Sequence, residues 1–139
     1  MIIADTSVIF ALLDGSDADH QRVAAWYQAA DPTFVTTPLV LAEVDHLAGA
    51  RAGAAAQRAW RADLSAGAYA IEWWDDAAKS SAAIADQYQD LGIGLTDASL
   101  VALGERLGTV DVATLDERHF RAIRPRRGGP AFRLLPADA

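Results

Sequence analysis

Two rhythms of hydrophobic residues alternate along this chain. Short aliphatic and β-branched runs at residues 2–5 (IIAD), 33–37 (TFVTT), 69–74 (YAIEWW), 110–114 (VDVAT) and 131–135 (AFRLL) have the length and composition of buried strands. The stretches between them space their apolar residues at helical intervals, as Val23, Trp26 and Tyr27 do at i, i+3 and i+4. They predict helices over 6–14, 16–30, 53–66, 75–92, 95–108 and 115–123. A further helix opens at Pro38 behind Thr37 as its cap, a position where the missing N–H of proline does no harm. Thr96 is the expected cap of the 95–108 helix, Gly92 and Gly108 end two helices, and Gly49 and Gly53 separate two others.

Strands alternating with helices imply an α/β domain of three layers, α/β/α, around a mostly parallel central sheet. At 139 residues, with no internal repeat, low-complexity tract or linker, the chain reads as one domain, 1–139. Open parallel sheets present ligands outside the carboxyl ends of their strands, so chemistry is sought at that edge. Apolar residues make up 52% of the chain, as in a globular domain. No apolar run approaches the roughly 18–20 residues of a bilayer span, and no basic flank precedes the first one. Neither a membrane partner nor a signal peptide is therefore expected. The absence of cysteine removes disulfides and thiolate metal sites and fits a cytoplasmic location.

Four acids stand where the pattern makes them informative. Asp5 follows the first strand, Asp116 follows the 110–114 strand within three residues, and Asp97 lies in the first turn of its helix. Locally each has an ordinary explanation, because acids cap helices and suit their N-termini. Glu43 is harder to place, with Leu39, Val40, Val44 and Leu47 at −4, −3, +1 and +4 from it. That spacing puts its carboxylate in the middle of a buried stripe, where it needs a base, hydrogen bonds or a metal as compensation. The nearest cation on its own helical path is Arg51, two turns on, and a salt bridge to a more distant arginine is the alternative. Carboxylates gathered in one pocket repel unless hard cations neutralise them, and oxygen ligands without Cys or a His pair favour Mg²⁺ or Mn²⁺. Carboxylate-held Mg²⁺ is common equipment for cleaving phosphodiesters.

The net charge of −7 speaks against a nucleic-acid ligand until its distribution is considered. Residues 118–139 carry six arginines against one acid, Asp138, a local balance of +5, and the first 117 residues carry −12. Arg118, Arg121, Arg124, Arg126 and Arg127 are thus candidates for a phosphate-facing edge beside an acidic site. A solvated C-terminal segment is the competing explanation.

The stretches IIADTSVIFALL, TTPLVLAEV, LTDASLVALGERLG and VATLDERHF resemble the successive motifs of the PIN-domain ribonucleases, most closely the VapC-type toxins of bacterial toxin–antitoxin pairs. The resemblance covers nearly the whole chain. It implies a PIN-like fold and a Mg²⁺- or Mn²⁺-dependent endoribonuclease that cuts transfer or ribosomal RNA. It also implies a small antitoxin as inhibitor and a homodimer. Matched by position, the acidic quartet is Asp5, Glu43, Asp97 and Asp116, catalytic and metal-holding, with Ser7 and Thr114 as supporting hydroxyls.

Other residues weigh less. His20, His46 and His119 share no HExxH-like spacing and read as surface or packing residues, with His46 near enough to Glu43 to border a cleft. Trp26, Trp60, Trp73 and Trp74 suit packing or subunit contact better than base stacking. A phosphoacceptor module would need a lysine near the last strands, and the sole lysine, Lys79, is not there. A haloacid-dehalogenase-type phosphatase would need a second Asp where Ser7 stands. A PIN-like binding module without activity is the remaining alternative, and the complete quartet argues against it.

Overall fold

The computed structural model describes all 139 residues. Five short strands, β1 (Ile2–Ala4), β2 (Phe34–Thr36), β3 (Tyr69–Ile71), β4 (Asp111–Ala113) and β5 (Arg133–Leu135), form one sheet in the order β3-β2-β1-β4-β5. Every pairing is parallel, so the sheet has no antiparallel edge. Seven α-helices cover it: α1 (Thr6–Leu13), α2 (His20–Ala30), α3 (Pro38–Leu47), α4 (Ala54–Ser65), α5 (Ala77–Gln87), α6 (Leu95–Leu107) and α7 (Glu117–Ala122).

Register assigns the two faces, because residues abreast in neighbouring parallel strands point the same way. Ile2, Phe34 and Tyr69 are abreast, and onto that face α2 brings Trp26 and Tyr27 while α4 brings Trp60. The Phe34 and Tyr69 rings stack at 6.0 Å. Val35, Ile3, Val112 and Leu134 are abreast on the other face, where α6 lies close enough that Gly104 approaches Ile3. The result is the three-layer α/β/α arrangement, with a core that includes Ile3, Val35, Trp60, Leu100, Leu103 and Leu134.

Several boundaries depart from the expected ones for identifiable reasons. The second helix begins at His20, not at residue 16, because Asp14 and Asp17 fold the preceding residues into turns by accepting the N–H groups of Ser16 and Asp19. Gly94 caps α6 in place of Thr96, which lies inside the helix. Thr37 does stand at the cap of α3, but its hydroxyl pairs with Ser99 at 2.8 Å and so ties the end of β2 to α6. β3 ends at Ile71, leaving Trp73 and Trp74 beyond it. Between α3 and α4 the helix widens into a π turn, Ala48–Ala52, closed by Gly53 at φ +94°. Arg61 of α4 grips Asp45 of α3 through two hydrogen bonds of 2.9 and 3.0 Å, bracing the helices on either side of that turn.

Candidate active site

Asp5 emerges at the carboxyl end of β1, the central strand, and caps α1. Its N–H donates to the Ala113 carbonyl at 2.9 Å, which sets it abreast of Thr114 just past β4. Three donors hold its carboxylate. The Thr6 N–H reaches Oδ1 at 2.7 Å, and the Thr114 and Ser7 hydroxyls reach Oδ2 at 2.7 and 3.1 Å. The residue is 5% exposed. Burial pushes the carboxyl up to about 6 against the pull of the Thr114 hydroxyl, and the charge of Asp97 pushes in the same direction as burial.

The same two hydroxyls shape the approach to Asp116. Ser7 Oγ accepts the Leu115 N–H and Thr114 Oγ1 accepts the Asp116 N–H, both at 3.0 Å. Asp116 caps α7, its Oδ1 accepting the His119 N–H at 3.0 Å. The His119 ring then turns back, placing Nδ1 2.9 Å from Asp116 Oδ2 and 3.3 Å from Asp97 Oδ2. Asp97, in the first turn of α6, is raised above the ordinary carboxylate range by burial and by the Asp116 charge, with His119 opposing both. Donor atoms of Asp97, Asp116 and His119 all lie within 4.8 Å of one another.

These groups share one cleft of about 430 Å³, whose acids are Asp5, Asp17, Glu43, Asp97 and Asp116. The quartet and Ser7 therefore line a single cavity, and Thr114 lies buried beneath it, 1% exposed. Glu43 corrects an expectation, since it is exposed and not buried. The buried stripe of α3 runs through Val40 and Val44, with Leu39 and Leu47 only partly covered, so Glu43 stands at the stripe's edge facing the cleft. His119 corrects another expectation, since it is not a surface or packing residue but lines the cleft between Asp97 and Asp116, and Asp17, not singled out in the sequence, lines the cleft as well. For His119 the usable signal was its i+3 spacing from Asp116 on a short helix, not a zinc motif.

None of the five candidate arginines lines the cleft. Arg121 is held by Asp138 and Glu117, both oxygens of Asp138 accepting at 2.7 Å, and these partners push its guanidinium higher still. Arg126 reaches Gln87 and Glu105, while Arg127 lies against Gly108. Arg118 and Arg124 are exposed, and the Arg124 backbone N–H donates to the Tyr88 hydroxyl. His20 binds the Ala11 carbonyl at 2.7 Å, and His46 is exposed outside the cleft. Trp60 is fully buried, and Trp74 lies under the Arg106 guanidinium at 5.0 Å.

The PIN-domain family model matches residues 2–124. The chain is 38% identical over 136 residues to Ribonuclease VapC26 of Mycobacterium tuberculosis (strain ATCC 25618 / H37Rv), covering 97% of this chain and all of that protein. The crystal structure of VapC20 from Mycobacterium tuberculosis, described as a sarcin-ricin loop cleaving toxin, superposes with a TM-score of 0.78 at 22% identity. That match covers 84% of this chain and 91% of the VapC20 chain and shows a shared fold.

Proposed function

The chain belongs to the PIN-domain family, and on that premise we propose that it is a metal-dependent endoribonuclease, the toxin of a toxin–antitoxin pair. The observation that carries this reading is the convergence of Asp5, Glu43, Asp97 and Asp116 on one cleft at the carboxyl edge of the sheet. The site's donor chemistry fits a hard divalent cation. Carboxylate oxygens predominate, one imidazole nitrogen stands among them, and no cysteine is present. Asp97 and Asp116 are the residues best placed to hold Mg²⁺ or Mn²⁺, with Asp5, Glu43 and His119 around them.

Such an ion supplies an activated water and stabilises charge on a leaving oxygen. The chain's own residues arrange the site for that chemistry. Thr114 and Ser7 fix the Asp5 carboxylate, and through Leu115 and Asp116 they also fix the turn that presents the second acid. His119 holds Asp97 and Asp116 at a common spacing. An RNA strand is the substrate class that the relative's ribonuclease activity supports. A small antitoxin and a second copy of the chain are proposed as partners. Arg118, Arg124 and Arg127 are left to contact phosphates beyond the cleft, since Arg121 and Arg126 are already engaged.

The test is cleavage of total cellular RNA by purified protein. With Mg²⁺ or Mn²⁺ the wild type should cut and with EDTA it should not. Asp97→Asn should lower the rate by at least about a hundredfold while keeping its circular dichroism. An Asp97→Asn protein that cuts at the wild-type rate would remove the quartet from the chemistry.

A further inference from the structure

An acidic cleft repels the substrate it is meant to hold. Five carboxylate side chains line this cavity, and RNA brings one negative charge per nucleotide. The C-terminal arginines do not line it. One cation does, Arg51, and we propose that Arg51 holds a backbone phosphate of the RNA beside the one that is cut. This inference rests on the RNA-cleaving reading and adds to it a side chain of the cleft that binds the substrate's backbone.

The backbone places Arg51 there by an unusual device. Glu43, Leu47 and Arg51 are four and eight residues apart and all line the cleft. In a regular α-helix the eighth residue has drifted about 80° from the first, enough to turn it away from a narrow wall. The π turn at Ala48–Ala52 is wound more widely, closed by the Gly53 N–H on the Ala48 carbonyl at 2.9 Å, and it offsets that drift. The turn does not sag, because Arg61 and Gln57 of α4 both bind Asp45 of α3 across it.

Arg51 is also uncommitted. It is exposed, and its guanidinium enters none of the ion pairs that occupy Arg22, Arg61, Arg121, Arg126 and Arg133. A free guanidinium on a braced backbone, facing acids that it does not pair with, matches the bidentate geometry of a phosphate.

The experiment measures binding of a short fluorescein-labelled single-stranded RNA to an Asp97→Asn protein across a salt series. Adding Arg51→Ala should weaken binding about tenfold and flatten the log–log salt slope by about 0.7, the release expected for one phosphate contact on a single strand. Arg51→Lys should keep the slope. Arg58→Ala removes the same charge from an exposed site on α4 outside the cleft, and its slope should not change. With Asp97 intact, Arg51→Ala should raise KM and leave kcat within about twofold. If the Asp97→Asn parent binds RNA and Arg51→Ala leaves the slope unaltered, the Arg51 assignment is wrong and the nuclease reading stands. If the parent binds no RNA and the wild type cuts none, both fall.

Discussion

Asp5 is stabilised by its hydrogen bonds and destabilised by its surroundings, and the second effect is larger. Its folded pKa of about 6 lies above its ordinary 3.8, so between those values the folded protein holds a proton that the unfolded chain has released. The stability that Asp5 contributes is therefore fully present below about pH 4 and is lost as pH rises through 6, by up to about 3 kcal/mol for a shift of this size. Asp97 is shifted in the same direction and adds to the slope. Urea unfolding in EDTA across this range should show the decline. Asp5→Asn, which keeps an acceptor for the Thr6 N–H, should be more stable than wild type at neutral pH and should retain only the shallower slope due to Asp97. A wild-type protein that gains stability from pH 4 to 7 in EDTA would contradict this account. Asp5, Asp97 and Asp116 were legible in the sequence because strand ends and a helix N-terminus are short-range features. Glu43 was legible as a cleft residue but not in its burial, since helical spacing locates a stripe without showing how wide it is. His119 was not legible, because its role depends on Asp97, 22 residues away in sequence and brought near only by the fold.

At the scale of the element, α6 shows how packing overrides local preference. Gly104 sits inside this helix, where Ala would ordinarily be favoured by about 1 kcal/mol. A Cβ there would lie 3.0 Å from the Thr109 carbonyl oxygen, 3.5 Å from Ile3 and 3.6 Å from Phe132. The closest of these is backbone at the entrance to β4 and yields poorly, and overpacking of this kind costs about 1–3 kcal/mol. Gly104→Ala should therefore be net destabilising by about 1 kcal/mol, read as a fall of a few degrees in melting temperature. A rise would show that the helix has room to shift away from the sheet. The strands and most helices were readable from periodicity and glycine stops. The elements that were misjudged are those where side chains compete for the backbone, as in the Asp14 and Asp17 turns ahead of α2. The π turn was invisible for a different reason. Gly49 and Gly53 look like a break between helices, and only the register of α3 against the cleft shows that the chain keeps winding between them.

Across the whole molecule, charge is organised differently from its linear distribution. The +5 of residues 118–139 suggests a free basic surface, yet Arg121, Arg126 and Arg133 are paired with acids, three of which, Glu117, Glu105 and Asp111, lie outside that segment. A knot of negative charge sits instead in the cleft, where five acids meet one arginine and one histidine. Two kinds of cation should relieve it to different extents. Sodium chloride screens exposed charges over about 10 Å at 0.1 M but acts weakly on buried and half-buried ones. A divalent ion held by the cleft stabilises the folded state by mass action, about 2.7 kcal/mol at a hundredfold excess over its Kd. Mn²⁺ should accordingly raise the melting temperature well beyond sodium chloride of equal ionic strength. Asp116→Asn takes away one of the grouped donors, so it should lose most of the Mn²⁺ increment and keep the sodium response. Equal increments from the two salts would show that no divalent ion is held specifically, and an Asp116→Asn protein as responsive to Mn²⁺ as the wild type would place the ion elsewhere on the molecule.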